Sequence, residues 1–397
     1  MQSGTRLLIV ANRFYPQVGG AELVTFNEAR ELGKRLRVDV ITPLRDNDVR
    51  RESAGTIRIF RVWNAYNPRN RFPFLSGETL CPAIPARILF GNYDIIHCFP
   101  AVNRNNLLAL AAARIRGIPI FLTCYDAFDY ADLMLSKGVP LADLDKLTLT
   151  DRHRSHLSKF NAIFTISERE TRLIKAANTN TFLSTVPILT EEHEKDPDVV
   201  GFRRKLNIEP DVKIILCLSR VAFIKGQDIL IKTVPLFKNR VGKFRVLIVG
   251  RTDYEPDYLE QMRTFVRDNG LEGDVVFTGP LPREDALAAL KACEVHVLPM
   301  RFMNSGAVVA ETWGSGKPVL QSNMIDPNYV VEGENGFTFD IEQPQELADK
   351  IVYLLEHPDL RRKMGENGRD LVQRKFLYSH LADKYLNVYR ECAHIDV

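Results

Sequence analysis

Short, continuously apolar segments alternate with helical patterns along almost the whole chain of 397 residues. Seven such segments, rich in β-branched and aromatic residues, occur in the first half: Leu7–Ala11, Val38–Thr42, Ile57–Val62, Asp94–Cys98, Ile118–Thr123, Ala162–Ile166 and Phe182–Pro187. Helical patterns lie between several of them, for instance Ala21–Leu36 and Asn105–Arg116. Continuous hydrophobicity is typical of strands buried on both faces of a parallel sheet. We therefore predict an α/β fold built from doubly wound parallel sheets.

The series restarts after an acidic, polar stretch, Glu191–Asp198. Five further strand-like segments follow: Lys213–Leu218, Arg245–Val249, Val275–Thr278, Val295–Pro299 and Pro318–Gln321. A prior of about 150 residues per domain gives two or three domains for this length. We predict one domain over 1–195 and a second over 196–377, with helices in the closing stretch Pro344–Glu391.

The cysteine pattern indicates the redox compartment. Six cysteines are widely spaced without a Cys-x-x-Cys pair: Cys81, Cys98, Cys124, Cys217, Cys293 and Cys392. Several fall in apolar strand-like segments, so we expect buried thiols in a reducing cytosol rather than disulfides or zinc ligands. The apolar run after Arg6 has only five residues, too few for a signal sequence or a membrane span. These features predict a cytoplasmic protein, soluble or peripheral at the inner face of the membrane.

Charge is distributed unevenly behind a net value of +3. Residues 1–190 carry 25 Lys+Arg against 17 Asp+Glu, and the remainder carries 28 against 33. A basic first half suits an anionic membrane surface or a phosphate-bearing acceptor. A mixed, solvated surface explains it equally well. We expect no nucleic-acid partner, because the basic residues are scattered and no recognised binding motif occurs.

Two cations and a later helix start form the most informative pattern for function. Arg220 and Lys225 follow the strand-like run Ile214–Ser219, and Glu311 lies inside the helix that starts after Ser305. Cations neutralise a diphosphate, and free amides at a helix start donate to its oxygens, here from Gly306, Ala307 and Val308. A carboxylate can accept both hydrogens of a ribose diol. The pattern indicates a site for a nucleotide diphosphate sugar.

These residues resemble the retaining glycosyltransferase family 4 of the GT-B fold. The shared motif comprises Arg220, Lys225-Gly226, Glu311 and Gly316-Lys-Pro-Val319, and the first strand is followed by Tyr15-Pro16 and Gly19-Gly20-Ala21-Glu22. The resemblance runs from Leu7 to about Tyr389. It implies two Rossmann-like domains facing each other across a cleft, with the last helix, about 378–397, returning to the N-terminal domain.

The resemblance also implies roles for further residues. The nucleotide base lies at the loop formed by Gly279, Pro280 and Leu281, where ordinary turn chemistry is the alternative. Donor contacts are assigned to Gly20, Asn304, Ser305, Gly306, Ala307, Val308 and Glu311. Catalytic roles are assigned to Arg220, Lys225, Tyr125 and Asp126. Apart from the resemblance, acceptor contacts are predicted for Gly19 and Gly20, which follow the first strand, and for Arg69 and Arg71 in a basic, aromatic stretch. The two arginines equally fit lipid head groups or a solvated surface.

Two positions depart from the family pattern. Met303 stands where the family has the earlier of two glutamates, and Tyr125 stands where it has a sugar-facing histidine. A methionine cannot accept a hydrogen bond from a sugar hydroxyl as a carboxylate does, so Asn304 or Ser305 substitutes or the donor differs there. Tyrosine keeps a hydroxyl but carries no proton charge near neutral pH.

No metal or cofactor is expected. The two Asp-x-Asp matches, Asp46/Asp48 and Asp143/Asp145, fall in a polar turn and a helix-like segment, whereas hard cations need converging oxygen ligands. The single histidines His97, His296 and His380 show no ligand spacing and are interpreted as structural.

The sequence thus predicts a metal-independent, retaining hexosyltransferase. Its donor is a nucleotide diphosphate sugar, UDP-sugar being favoured over GDP-mannose, and its acceptor is a glycan or lipid-linked molecule in polysaccharide or glycoconjugate biosynthesis. The alternative is a catalytically weakened sugar-nucleotide or glycan-binding protein of the same fold, which Met303 and Tyr125 would allow.

Overall fold

The computed structural model describes residues 4–16, 20–44, 49–66, 79–100, 103–125, 151–188, 190–301, 307–325 and 329–395. The chain divides into two compact units, one formed by Met1–Val186 with Tyr378–Val397 and the other by Pro187–Leu377. The sequence predicts the change of domain at residue 195, and the division in the structure falls after Val186. The acidic stretch after Pro187 belongs to the second unit, where Glu192 of its helix forms an ion pair with Arg283.

The first unit is built on an eight-stranded sheet. The unit's strands are β1 (Arg6–Ala11), β2 (Arg37–Pro43), β3 (Arg51–Ala54), β4 (Ile57–Val62), β5 (Ala65–Tyr66), β6 (Thr79–Leu80), β7 (Ile95–Phe99), β8 (Ile120–Thr123), β9 (Ala162–Thr165) and β10 (Thr181–Leu183). The order in the large sheet is β10-β9-β8-β7-β1-β2-β4-β3. All its pairings are parallel except β3 with β4, and β5 and β6 form a separate antiparallel pair.

Helices cover both faces of this sheet. They are α1 (Gly20–Leu32), α2 (Ala83–Phe90), α3 (Arg104–Arg116), α4 (Asp151–Leu157), α5 (Glu168–Lys175) and, from the end of the chain, the helix Tyr378–Ala393. Leu7 and Ile9 pack in one core cluster with α1 and the C-terminal helix, while Leu8 and Val10 pack in another with α2 and α3. Neighbouring residues of a strand face opposite sides of the sheet. Because both sides are covered by helices here, the residues on both sides of the strand must be apolar. This arrangement explains the uninterrupted hydrophobic run.

The second unit has a six-stranded, wholly parallel sheet. Its strands are β11 (Lys213–Leu218), β12 (Phe244–Val249), β13 (Val275–Gly279), β14 (Val295–Leu298), β15 (Val319–Ser322) and β16 (Gly336–Phe339). Its helices are α6 (Thr190–Glu194), α7 (Val199–Lys205), α8 (Gln227–Phe237), α9 (Pro256–Asp268), α10 (Arg283–Ala292), α11 (Ala307–Gly314), α12 (Pro344–Glu356) and α13 (Pro358–Lys375). The C-terminal helix Tyr378–Ala393 is α14.

The strand order of this sheet, β13-β12-β11-β14-β15-β16, reverses direction between β11 and β14. Loops leaving adjacent strands on the two sides of such a point turn away from each other. Ligands bind in the crevice that opens there, outside the carboxyl ends of the strands. The loop of Arg220 leaves β11, and the chain leading to α11 leaves β14.

All six cysteines lie in the described residues and none forms a disulfide; five are buried and Cys392 is half-buried. Their burial agrees with the prediction from the apolar segments. Among the described residues no helix is long and apolar enough to cross a membrane.

Candidate functional site

The loop after β11 is fixed by a buried glutamine. The side-chain Nε2 of Gln227 donates to Ser219 Oγ and to the Arg220 carbonyl oxygen, each at 2.8 Å. The Val221 amide donates to the Arg251 carbonyl at 2.8 Å, which ties this loop to the one after β12. The Arg220 guanidinium lies 4.3 Å from the centre of the Tyr254 ring. The backbone under Arg220 is therefore held independently of its side chain.

A single 3₁₀ turn, Phe223–Lys225, carries the second cation. Gly226 ends the turn at φ +69°, and a Cβ there would stand 1.8 Å from the Pro299 carbonyl oxygen. Only glycine fits this approach between the turn and the end of β14. The Lys225 ammonium lies 4.0 Å from Met300 Sδ, so it lies beside the segment that follows β14.

A nearly buried ion pair locks the same turn. The Arg301 guanidinium donates to both oxygens of Asp228, at 2.8 and 2.9 Å, and also to the Phe223 carbonyl oxygen at 2.8 Å. The Tyr258 hydroxyl donates to Asp228 Oδ1 at 2.6 Å. Burial opposes the ionisation of Asp228, but hydrogen bonds from Arg301 and Tyr258 and nearby positive charge outweigh it and lower its pKa to about 2. This cluster connects the Lys225 turn to the start of the segment leading to α11.

The predicted base loop follows β13. Gly279 adopts φ +72°, and its carbonyl oxygen accepts from the Gly250 amide at 3.0 Å. Pro280 is exposed, and Leu281 packs partly against a core cluster of the second unit. The loops after β11, β12 and β13 are thus joined by backbone hydrogen bonds at one edge of the sheet. Base contact at Gly279, Pro280 and Leu281 stays a prediction.

A buried series of hydrogen bonds connects helix α11 to β11 through His296 of β14. The Leu218 amide donates to His296 Nε2 at 3.0 Å, which makes Nε2 the acceptor and leaves the proton on Nδ1. Nδ1 lies 2.6 Å from Thr312 Oγ1, whose hydroxyl donates to the Val308 carbonyl at 2.7 Å. Burial lowers the pKa of His296 to about 3, so the ring stays neutral. His296 is structural, as predicted, and it sets the position of α11 relative to Arg220.

Glu311 lies on α11 beside Arg283, the first residue of α10. Its Oε1 is 2.7 Å from Arg283 Nη1. Burial raises the pKa of Glu311, while the charge and hydrogen bond of Arg283 act against the rise. Ala307 and Val308 form the first turn of α11. Met303, Asn304, Ser305 and Gly306 lie outside the described residues, and their roles stay predictions.

In the first unit, Gly20 and Tyr125 lie at the same edge of the sheet. Gly20 begins α1 after β1, and Tyr125 follows β8. Thr25 of α1 donates to the Tyr125 hydroxyl at 3.4 Å. That hydroxyl in turn donates to Glu28 Oε2 at 2.5 Å. The tyrosine therefore holds a protein partner in this structure, and its sugar contact stays a prediction.

Glu28 is the centre of a buried polar network. Burial raises its pKa to about 8, although hydrogen bonds from Tyr125 and Tyr385 act in the opposite direction. The Tyr385 hydroxyl of α14 lies 3.1 Å from Thr123 Oγ1, and Thr123 Oγ1 lies 2.8 Å from Nε2 of the buried His97. The network connects the C-terminal helix to the strand end that carries Tyr125. His97 is structural, as predicted.

Several predicted positions fall outside the described residues: Gly19, Arg69, Arg71 and Asp126, and the aspartates Asp46, Asp48, Asp143 and Asp145. Within the described ranges, no group of three or more His, Cys, Asp or Glu side chains is arranged to hold a metal ion. His380 is exposed on α14.

Four residues that position the sites were not identified from the sequence: Glu28, Gln227, Asp228 and Arg283. Glu28 did leave a signal, because it falls on the buried face of α1 with Thr25, Ala29 and Leu32. A charged residue in an apolar phase of a helix usually has a specific partner. Asp228 and Arg283 act through contacts distant in sequence, whereas Gln227 acts on the loop just before it. None of the three leaves a recognisable local pattern.

Comparison with known proteins identifies the family. Residues 18–182 match the family model described as Glycosyltransferase Family 4, and residues 201–371 match Glycosyl transferases group 1. Alpha-D-kanosaminyltransferase of Streptomyces kanamyceticus is 28% identical over 207 residues, 51% of this chain and 53% of that protein. GDP-mannose-dependent alpha-(1-6)-phosphatidylinositol monomannoside mannosyltransferase of Mycobacterium tuberculosis is 28% identical over 209 residues, with the same coverage. The match thus spans about half the length of these curated relatives.

Solved structures agree over nearly the full length. Sucrose-phosphate synthase from Thermosynechococcus elongatus superposes with a TM-score of 0.75 at 19% identity, covering 98% of both chains. Anabaena HepE in complex with UDP superposes with a TM-score of 0.75 at 18% identity, covering 98% of this chain and all of the other. At this identity the likeness establishes the fold. With two family models matching its two halves, the chain belongs to glycosyltransferase family 4 and has the GT-B fold.

Proposed function

We propose that this protein is a metal-independent, retaining glycosyltransferase that transfers a hexose from a nucleotide diphosphate sugar to a glycan or lipid-linked acceptor. One observation carries the proposal. Arg220, Lys225, the Gly279 loop and Glu311 all lie on segments that leave the carboxyl edge of the second sheet, and a chain of hydrogen bonds joins these segments. A nucleotide diphosphate needs cations for its phosphates, a loop for its base and a carboxylate for its ribose.

The electrostatics of this edge fit an anionic leaving group. Breaking the bond between sugar and diphosphate leaves negative charge on the phosphate oxygens, and fixed cations stabilise that charge more than they stabilise the ground state. Arg220 and Lys225 stand on backbones that are fixed before substrate arrives, so little reorganisation accompanies the reaction. Supplying this positive charge from side chains is the reason we propose metal independence.

Retention is proposed through a front-face reaction. The acceptor hydroxyl attacks from the side of the departing diphosphate and a phosphate oxygen takes its proton, so the C–O bond to the diphosphate breaks as the new glycosidic bond forms. The protein supplies positioning and charge rather than an obligatory nucleophile. In the first unit, Tyr125 and Asp126 are the proposed sugar contacts, and Gly20 allows close approach of a substrate.

For the donor we propose a UDP-sugar, with GDP-mannose as the alternative. A UDP-bound structure is among the solved relatives, and the M. tuberculosis relative is named as GDP-mannose-dependent. We place the product in polysaccharide or glycoconjugate biosynthesis. The basic first half supports a phosphate-bearing or membrane-bound acceptor, which sedimentation with anionic vesicles tests directly.

A specific observation also favours a second candidate function. Met303 replaces the family glutamate, and the Tyr125 hydroxyl is already engaged by Glu28. Both features suit a protein that binds sugar nucleotide or glycan but transfers slowly. The alternative is therefore a catalytically weakened binding protein.

Incubation with a panel of UDP-, GDP- and ADP-sugars separates the two candidates. Nucleotide release is measured with and without glycan and lipid-linked acceptors, in the presence and absence of excess chelator, and the anomeric configuration of any product is determined by NMR. Acceptor-stimulated release with retained configuration, unaffected by EDTA, is the expected result. Binding without any release would support the alternative, and activity lost with EDTA but restored by magnesium or manganese would overturn metal independence.

A further inference from the structure

Arg283 lies between two carboxylates at the carboxyl edge of the second sheet, where the nucleotide site is proposed. Its Nη1 is 2.7 Å from Glu311 Oε1. On its other side, Nε and Nη2 donate to Glu192 Oε2 at 3.0 and 2.7 Å. Arg283 opens α10 directly after the Gly279 loop, while Glu192 belongs to α6 and Glu311 to α11. One guanidinium thus joins three helices around the predicted ribose carboxylate.

This geometry determines what Glu311 can offer a ligand. The ion pair joins Arg283 Nη1 to Glu311 Oε1 at 2.7 Å, so the guanidinium fixes the direction in which the carboxylate is held. The Glu311 side chain is only 15% exposed, an environment that disfavours a bare carboxylate. A planar guanidinium held by Glu192 keeps a fixed direction, which a flexible point charge does not. Arg283 therefore both compensates the charge of Glu311 and orients it.

We propose that Arg283 is a positioning residue for nucleotide binding: by bridging Glu192 and Glu311 it holds the Glu311 carboxylate ionised and oriented toward the ribose hydroxyls. This inference rests on the proposed function, because the ribose role of Glu311 is part of it. The new element is that recognition of the ribose depends on Arg283, which acts through Glu311 and need not touch the nucleotide.

The test compares ribo- and deoxyribonucleotides on the same protein. UDP, GDP and their 2′-deoxy counterparts are titrated calorimetrically into the full-length chain and into Arg283→Met. In the wild type, the ribonucleotide should bind about 10-fold or more tightly than its deoxy form, as for a hydrogen bond to a charged acceptor. In Arg283→Met this ratio should fall below about threefold, because a neutral or misdirected Glu311 accepts poorly. Since both ligands meet one protein, partial misfolding does not change the ratio.

Two further variants make the result specific. Arg283→Lys keeps a positive charge but cannot span both carboxylates, so its ratio should fall between those of wild type and Arg283→Met. Arg240→Met is the matched control, since Arg240 also forms an ion pair, with Asp349 at 2.6 Å, and its side chain is 42% exposed against 40% for Arg283. Arg240 follows α8, whose C-terminal end lies at the opposite edge of the sheet, and its loss should leave the ratio unchanged.

The possible failures are distinguishable. If the wild type binds no nucleotide, the proposed function is wrong and this inference falls with it. If the wild type binds nucleotide but Arg283→Met keeps the full preference for ribose, only the role of Arg283 is refuted. Equal binding of ribo- and deoxy forms by the wild type would also overturn the inference, while nucleotide binding itself would stand.

Discussion

Replacing Asp228 by asparagine should destabilise the second unit, because this carboxylate holds the turn that carries Lys225. Its pKa is about 2 against an ordinary value of 3.8. At about 1.4 kcal/mol per pH unit, that difference corresponds to roughly 2.5 kcal/mol of stability at neutral pH. The side chain is only 11% exposed, so solvent screening removes little of this value. We expect Asp228→Asn to lower the free energy of unfolding by about 2 kcal/mol at pH 7.

The pH dependence carries the stronger test. A lowered folded-state pKa contributes stability that is present above the unfolded value of 3.8 and is lost as the pH falls toward 2. The difference between wild type and Asp228→Asn should therefore be constant from pH 7 to 5. It should shrink to roughly half by about pH 3, where the unfolded carboxyl is mostly protonated.

Tryptophan fluorescence during urea unfolding reports on the correct unit. The chain has two tryptophans. Trp313 is fully buried in the second unit, whereas Trp63 of the first is 68% exposed, so Trp313 dominates the spectral change. Asp253→Asn is the control, because its pair with Arg251 is exposed and should contribute little. An unchanged midpoint in Asp228→Asn, or a loss that does not vary down to pH 3, would refute the reasoning.

Three other changes test the site and the network of the first unit. Lys225→Ala should weaken nucleotide diphosphate binding by roughly 1.5–3 kcal/mol, measured by calorimetry, because a charge-assisted hydrogen bond is lost. Gly20→Leu should block acceptor use while leaving nucleotide affinity nearly intact, measured as transfer rate and affinity on one preparation. The wild type should lose thermal stability as the pH rises from 4.5 to about 8, and Glu28→Gln should not show this loss. The reason is that the folded-state pKa of Glu28 is raised from 4.5 to about 8, so the stability from its protonated form is complete below 4.5 and declines up to about 8.

Lys225→Ala has a matched control, and each of the three changes has an outcome that would contradict it. Lys243→Ala, which removes an exposed ion pair with Asp211, should leave nucleotide affinity unchanged. Equal affinities of Lys225→Ala and wild type would remove Lys225 from the site. Wild-type transfer by Gly20→Leu would mean that the loop is only a turn. Parallel melting curves of Glu28→Gln and wild type between pH 5 and 8 would show that Glu28 is ionised in the folded protein.

Most strands of both sheets are predictable from the sequence, because a strand that is buried on both faces requires a short, continuously apolar segment. The segment Lys213–Leu218 was predicted with its observed bounds, and Val295–Pro299 differs by one residue. The missed strands are edge strands. Arg51–Ala54 pairs on one side only, and Gly336–Phe339 starts with a glycine whose Cβ would stand 2.4 Å from the Val319 carbonyl. Edge strands need less hydrophobicity, so they carry a weaker signal.

By itself, the sequence determined the α/β class, the two series of strands, the positions of Arg220 and Lys225 after a strand, and the position of Glu311 inside the helix that follows Ser305. These features are recorded locally, since a strand or a helix start depends on residues that are neighbours in the chain. Only the tertiary structure decided that Arg283 bridges Glu192 and Glu311, that Arg301 and Asp228 lock the Lys225 turn, and that the Tyr125 hydroxyl is bonded to Glu28. Along the chain, Glu311 is 28 residues from Arg283, and Arg301 is 73 residues from Asp228. Arg283 is 91 residues from Glu192, and Tyr125 is 97 residues from Glu28. No local pattern encodes such a pairing, because it arises only when strand order and helix packing bring the side chains together.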